Sequence, residues 1–375
     1  MAEGSRRRSG FLVLADISGY TAFLTGTELE HAQGIIEDLT RAILGTLTPP
    51  LTLVKLEGDA AFALSPEGRL SGDRILDVVE RTYCDFADCR DDMQRRTTCT
   101  CEACANIPSL DLKFVVHHGE YLTHSVGGVE DLAGPDVILV HRLLKNDVRE
   151  ATGCRAYALL TEAAFATTPG VGLRRQIEHT AEFGEVEAGV LDLSESLARL
   201  RDSRRVFLAP EECDFAYTMH LPVPPAEAWE WWTNPARSPQ WQREVLGMQL
   251  ERNALGRQGV EGVMHCAHGS YDTLARYLDW RPFEYYTAER VGSRKGLMVP
   301  PDWVETVEFV ATEDNGTIVS YRFRVSDRRL RSQLKLRLLR PMARRTFMVA
   351  DRDLNALIAK HEDAAVEDAP VAAEG

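Results

Sequence analysis

The feature that most limits how this chain folds is a restart: a strand-and-helix alternation runs to about residue 195, a charged stretch follows at 196–213, and the alternation begins again. At 375 residues the chain is too long for one ordinary core, so the restart predicts two α+β domains, 1–200 and 214–362. Between them lies a connector at 201–213, and an acidic, Ala-rich segment at 363–375 is expected to be a disordered tail.

In the first half, the apolar run 11–17 predicts a strand. Thr27 with Glu30 forms a capping-box pattern before a helix carrying Ile35, Leu39, Ile43 and Leu47. Two short apolar runs, 51–56 and 60–64, joined through Glu57-Gly58-Asp59, predict a β-hairpin. A helix over 72–93, strands over 112–117 and 121–126 around Gly119, and a helix over 137–148 complete a βαββαββα order, in which helices cover one antiparallel-rich sheet. In the second half a strand at 214–221, a Trp-rich helix opened by Pro224-Pro225, strands between 246 and 326 and a long helix over 330–360 make another α+β unit.

Composition narrows the function classes. With 44% apolar and 27% charged residues the chain is an ordinary globular one, and its net charge of −14 disfavours nucleic acid as a partner. Ten basic residues against Asp327 between Arg322 and Arg345 run against that balance; a solvated helix face is the plainer reading, and an anionic surface the alternative. No run approaches the ~20 apolar residues of a membrane span. The apolar run after Arg6–Arg8 ends at Asp16, too early for a secretory segment, so a cytoplasmic protein is expected.

Two carboxylates stand where a strand meets a small-residue turn: Asp16 in Ala15-Asp16-Ile17-Ser18-Gly19-Tyr20-Thr21, and Asp59 in Lys55-Leu56-Glu57-Gly58-Asp59. If the first strand lies beside the hairpin, they converge on one edge of the sheet. Paired carboxylates suit magnesium, a hard ion shared with substrate phosphates. By residue type alone, both also fit simple turn and cap roles.

The ordered set of Asp16-Ile17-Ser18-Gly19-Tyr20-Thr21, Lys55-x-x-Gly58-Asp59, His118-Gly119-Glu120, Asp131-Leu132-Ala133-Gly134 and Arg142 resembles the class III nucleotidyl cyclase catalytic domain over roughly residues 10–195. The resemblance implies a ferredoxin-like fold. It implies that Asp16, Asp59 and the backbone carbonyl of Ile17 hold two ions of Mg²⁺ or Mn²⁺ for two-metal catalysis, and that Lys55 and Asp131 read the purine as adenine, favouring ATP as the substrate. Arg142 would stabilise charge in the transition state. Each site would be shared by two chains, so a homodimer is implied. The sequence departs from the pattern at Ile138, where the family has a ribose-orienting asparagine; Asn146 lies one turn beyond Arg142. That departure sustains an alternative: a catalytically inactive cyclase-like scaffold that binds nucleotide or an apolar ligand and signals through dimer geometry.

The insertion near 84–104 is rich in cysteine, and Cys99-x-Cys101-x-x-Cys104, with Cys89 as the fourth ligand, fits a structural Zn²⁺ site; uncoordinated surface thiols are the bland alternative. Residues 214–362 resemble the START-like, helix-grip superfamily of polyketide cyclases and lipid carriers. The resemblance rests on Pro224-Pro225-Ala226-Glu227-Ala228-Trp229, Asn234-Pro235, Trp241, Gly316-Thr317 and the long last helix. It implies an apolar cavity suited to a small molecule, into which His265, His268, Asp272 and Arg276 could project polar groups, although ordinary surface or core roles are the plainer reading for them; a ligand bound there is expected to tune the first domain. Trp229 and Trp232 are expected in the core.

Overall fold

The computed structural model describes residues 7–97, 99, 101–126, 129–168, 171–202, 205–253, 256–268, 271–292, 302–327 and 330–367. The chain divides into two compact units, Met1–Ser203 and Arg204–Gly375.

The first unit runs β1 (Arg7–Ser18), α1 (Tyr20–Thr25), α2 (Leu29–Leu47), β2 (Thr52–Glu57), β3 (Ala60–Pro66), α3 (Gly72–Arg96), α4 (Glu102–Asn106), β4 (Asp111–Val126), β5 (Val129–Ala133), α5 (Pro135–Arg142), α6 (Val148–Thr152), β6 (Tyr157–Thr161), α7 (Glu162–Phe165), β7 (Arg174–Thr180), β8 (Gly184–Asp192) and α8 (Leu193–Asp202). Its sheet has the order β2-β3-β1-β4-β6-β8-β7, with β5 paired to β4. All these pairs are antiparallel except β4 with β6. The unbroken apolar run Phe11–Ala15 is buried because β1 lies inside the sheet with both faces covered. Leu12 and Leu14 pack with Phe62, Val115, Val137 and Val140, a core that seats α5 on that face.

Several expected boundaries shift. Residues 111–126 form one long strand, because Gly119 continues the ladder opposite Gly10 instead of turning it. The expected helix over 137–148 is two short ones, α5 and α6. Thr27 does not cap α2: its hydroxyl donates to the Phe23 carbonyl at 2.6 Å, and Glu28 occupies the cap position. The front of the charged stretch is helical, as α8.

The second unit runs β9 (Phe215–Leu221), α9 (Pro225–Thr233), β10 (Gly247–Glu251), β11 (Val263–Ala267), β12 (Asp272–Arg281), β13 (Tyr285–Gly292), β14 (Trp303–Ala311), β15 (Thr317–Val325) and α10 (Leu330–Glu367). Its antiparallel sheet has the order β10-β11-β12-β13-β14-β15-β9, so the first strand closes beside the last. Alternate residues of β12 are buried, as befits a sheet with one covered face. That face packs Trp229, Trp232, Trp241, Tyr277, Tyr286 and Phe309 with Leu354 and Ile358 of α10. The helix continues to Glu367, into the expected tail, and residues 368–375 of that tail lie outside the described residues. Among the described residues no helix is long and apolar enough to cross a membrane.

Candidate functional site

Asp16 lies near the end of β1, in register with Ala60 on β3 and Lys113 on β4. Asp59 follows Gly58 in the β2–β3 turn, where Gly58 has φ of 66°, a conformation that favours glycine. The strand end and the turn bring the two carboxyls together. Burial, and then the adjacent Asp16 carboxyl, push the Asp59 carboxyl up to about 6, whereas the Lys113 ammonium acts in the opposite direction. Lys113 Nζ lies 3.1 Å from Asp16 Oδ2 and donates to the Leu144 carbonyl at 2.9 Å. Ile17, the next residue of β1, pairs with Leu112 and has a buried side chain. The donors assembled here are oxygens, the type that hard divalent cations prefer.

Lys55 and Asp131 come from separate strands and meet at 3.1 Å; Glu57 lies 3.0 Å from the same ammonium. Burial pulls Lys55 down, but its bonds to Glu57 and Asp131 outweigh that and leave it raised. Asp131 is likewise depressed: burial acts upward, but the Leu132 N–H and Lys55 outweigh it. His141 stands 3.2 Å from Glu57, and burial lowers its pKa. Arg142 ends α5 and pairs with Glu182, between β7 and β8, at 2.7 Å. Ile138 is 50% exposed on α5 and offers no hydrogen bond. Asn146 is engaged within its own unit: its Oδ1 accepts from the Tyr157 hydroxyl at 2.7 Å and from the Val148 N–H at 3.2 Å.

The cysteine cluster differs from expectation in one ligand. His31, Cys99, Cys101 and Cys104 have donor atoms within 4.8 Å of one another. Cys89, on α3, is not in that group; its thiol faces the Asp38 carbonyl at 3.9 Å. His31 lies 68 residues before Cys99, so no local spacing pointed to it. Lys113 was missed for the same kind of reason, since only the β1–β4 register sets it beside Asp16.

The second unit holds a cavity of about 500 Å³ lined by Trp232, Tyr286, Tyr321 and Phe347, with the half-buried Arg290 and the buried Glu305 in its wall. Arg290 Nε donates to Glu305 Oε1 at 2.8 Å, and Glu305 Oε2 accepts from Trp303 Nε1 at 2.9 Å and the Tyr321 hydroxyl at 2.8 Å. His268 lines the cavity, but His265 faces Glu251 at 3.6 Å and Arg276 faces Glu289 at 2.9 Å, both exposed. Trp229 is fully buried, whereas Trp232 serves both core and cavity.

A family model described as a protein of unknown function, DUF2652, matches residues 36–152. The "Uncharacterized protein Rv2561/Rv2562" of Mycobacterium tuberculosis is 42% identical over 101 residues, 26% of this chain and 46% of that protein, so the chain spans less than half of that relative. Solved structures similar to about half of the chain are adenylyl and guanylyl cyclases. The guanylyl cyclase Cya2 is 13% identical, with 50% of this chain and 93% of that one covered and a TM-score of 0.41. For the adenylyl cyclase CyaB from P. aeruginosa the identity is 16%, the coverage 55% and 100%, and the TM-score 0.38. A bacterial light-regulated adenylyl cyclase gives 12%, 52% and 95%, and 0.40. Likeness at this level says nothing of the chemistry, which has to come from the side chains.

Proposed function

We propose that the first unit is the catalytic domain of a cytoplasmic nucleotidyl cyclase, converting ATP to 3′,5′-cyclic AMP and pyrophosphate at the interface of a homodimer. The observation that carries this reading is the meeting of Asp16 and Asp59, two carboxyls 43 residues apart, at one end of the sheet. With the Ile17 carbonyl they would hold Mg²⁺ or Mn²⁺. Such ions supply the acidity that readies a ribose 3′-hydroxyl and the charge that neutralises a triphosphate.

The chain's own residues supply recognition and charge. The 3.1 Å Lys55–Asp131 pair sets a donor beside an acceptor, the order that an adenine edge requires. Arg142, released from Glu182, would neutralise charge building on the α-phosphate in the partner's site. The second unit is proposed to be a START-like, helix-grip domain whose cavity takes an apolar ligand that tunes the output; the aromatic lining and the long α10 support it.

A second reading has its own support. Ile138 cannot orient a ribose, and Arg142 is engaged with Glu182; both suit a silent cyclase-like scaffold. Incubating purified protein with ATP or GTP and Mn²⁺, and measuring cyclic product by mass spectrometry, separates the two. The cyclase reading expects cyclic AMP from the wild type and none from Asp59→Asn. Absence of product with every metal and nucleotide would leave the scaffold.

A further inference from the structure

We infer that His31, Cys99, Cys101 and Cys104 form a closed, structural zinc site that fastens the segment after α3 to the first turn of α2. Their donor atoms come from two stretches far apart in the sequence yet lie within 4.8 Å of one another. His31 Nδ1 is 3.2 Å from Cys101 Sγ and 3.7 Å from Cys99 Sγ. A tetrahedral zinc with Zn–S of ~2.3 Å and Zn–N of ~2.05 Å sets its ligands ~3.5–3.8 Å apart along the edges, close to the two separations from His31.

The donor chemistry selects the ion. Three sulfurs and one imidazole suit zinc and are poor ligands for Mg²⁺ or Ca²⁺, which prefer oxygen. Four protein donors fill a tetrahedron and leave no position for substrate, which makes the site structural and not catalytic. The surrounding chain is arranged to hold it. Cys101 caps α4, its sulfur accepting from the Cys104 N–H at 3.5 Å, while Glu28 accepts from the Ala103 N–H at 3.1 Å and so ties α4 to the start of α2. Each thiol binds as a thiolate and releases its proton on metal uptake.

The clamp has a structural consequence. β4 begins soon after α4 and carries Lys113 to Asp16, so fastening 99–104 to α2 fixes the approach of a strand that forms the candidate active site.

The test uses the full chain purified under reducing conditions. Metal analysis should find about one zinc per chain, and cobalt exchange should give the intense visible bands and near-ultraviolet charge transfer of tetrahedral thiolate coordination. His31→Ala and Cys101→Ser should hold zinc at least ~100-fold more weakly against a chelator, whereas Cys89→Ser should retain it. His31→Cys guards against simple misfolding: it should keep the metal and shift the cobalt bands toward a four-sulfur pattern. The inference is overturned if folded wild-type protein carries no zinc and gives no tetrahedral cobalt spectrum. It is equally overturned by iron in place of zinc, by a disulfide among Cys99, Cys101 and Cys104, or by zinc that depends on Cys89 and not on His31.

Discussion

At Asp59 the chain keeps one carboxyl against another, offset in part by a backbone hydrogen bond and by the Lys113 ammonium, itself drawn to Asp16. Such an arrangement costs stability unless a cation bridges it, a common trade at functional sites. Asp59→Asn should therefore be at least as stable as the wild type in metal-free buffer, by thermal melting, while losing cyclic nucleotide formation; a large loss of stability would make Asp59 a structural residue instead. Gly119 offers a second test. A Cβ there would sit 2.4 Å from Asp136 Oδ2 and 2.5 Å from His117 Nε2. Overpacking predicts that Gly119→Ala loses about 1–3 kcal/mol in denaturant unfolding. What was legible at this scale is what the chain writes locally. Asp16 and Asp59 stand out because each ends a strand in a small-residue turn, and the three clustered cysteines announce themselves by spacing. His31 and Lys113 do not, because their neighbours are set by packing and by strand register. Cys89 is nearer the three cysteines in the sequence than His31 is, but nearness in sequence is not distance in space.

At the scale of elements, periodicity finds many of the strands and helices but misplaces their ends, and it leaves β5, β6, β7 and β8 unread. Gly119 suggested a break in β4 because glycine ordinarily weakens a strand; here it allows Asp136 to approach the ladder, its carboxylate accepting from the Glu120 N–H at 2.6 Å. The helical spacing of Val137, Val140, Leu144 and Val148 hid the gap between α5 and α6, where Asn146 bonds to Tyr157. That gap puts Arg142 at a helix end, facing Glu182 of the β7–β8 turn. Since an exposed ion pair is worth ~0.2–1 kcal/mol, Glu182→Gln should raise cyclase turnover roughly 1.5- to 5-fold by freeing Arg142. Arg142→Ala should lower it by about 10²–10³-fold. Unchanged steady-state rates in both variants would remove Arg142 from the reaction.

For the whole molecule, the chain divides into the units Met1–Ser203 and Arg204–Gly375. A shared site makes a sharp prediction. Asp59→Asn and Arg142→Ala, each inactive alone, should complement when coexpressed. Half of the randomly mixed dimers are heterodimers, each with one of its two sites intact, so activity should return to about a quarter of wild type. No recovery in a preparation where mass spectrometry finds heterodimers would mean that each chain builds its site alone. Whether Asp16 and Asp59 jointly grip the ions can be read without turnover, by electron paramagnetic resonance of Mn²⁺ bound with a non-hydrolysable ATP analogue. The wild type should show a spin-coupled manganese pair that disappears in both Asp16→Asn and Asp59→Asn. A manganese signal that neither substitution alters would contradict that joint grip.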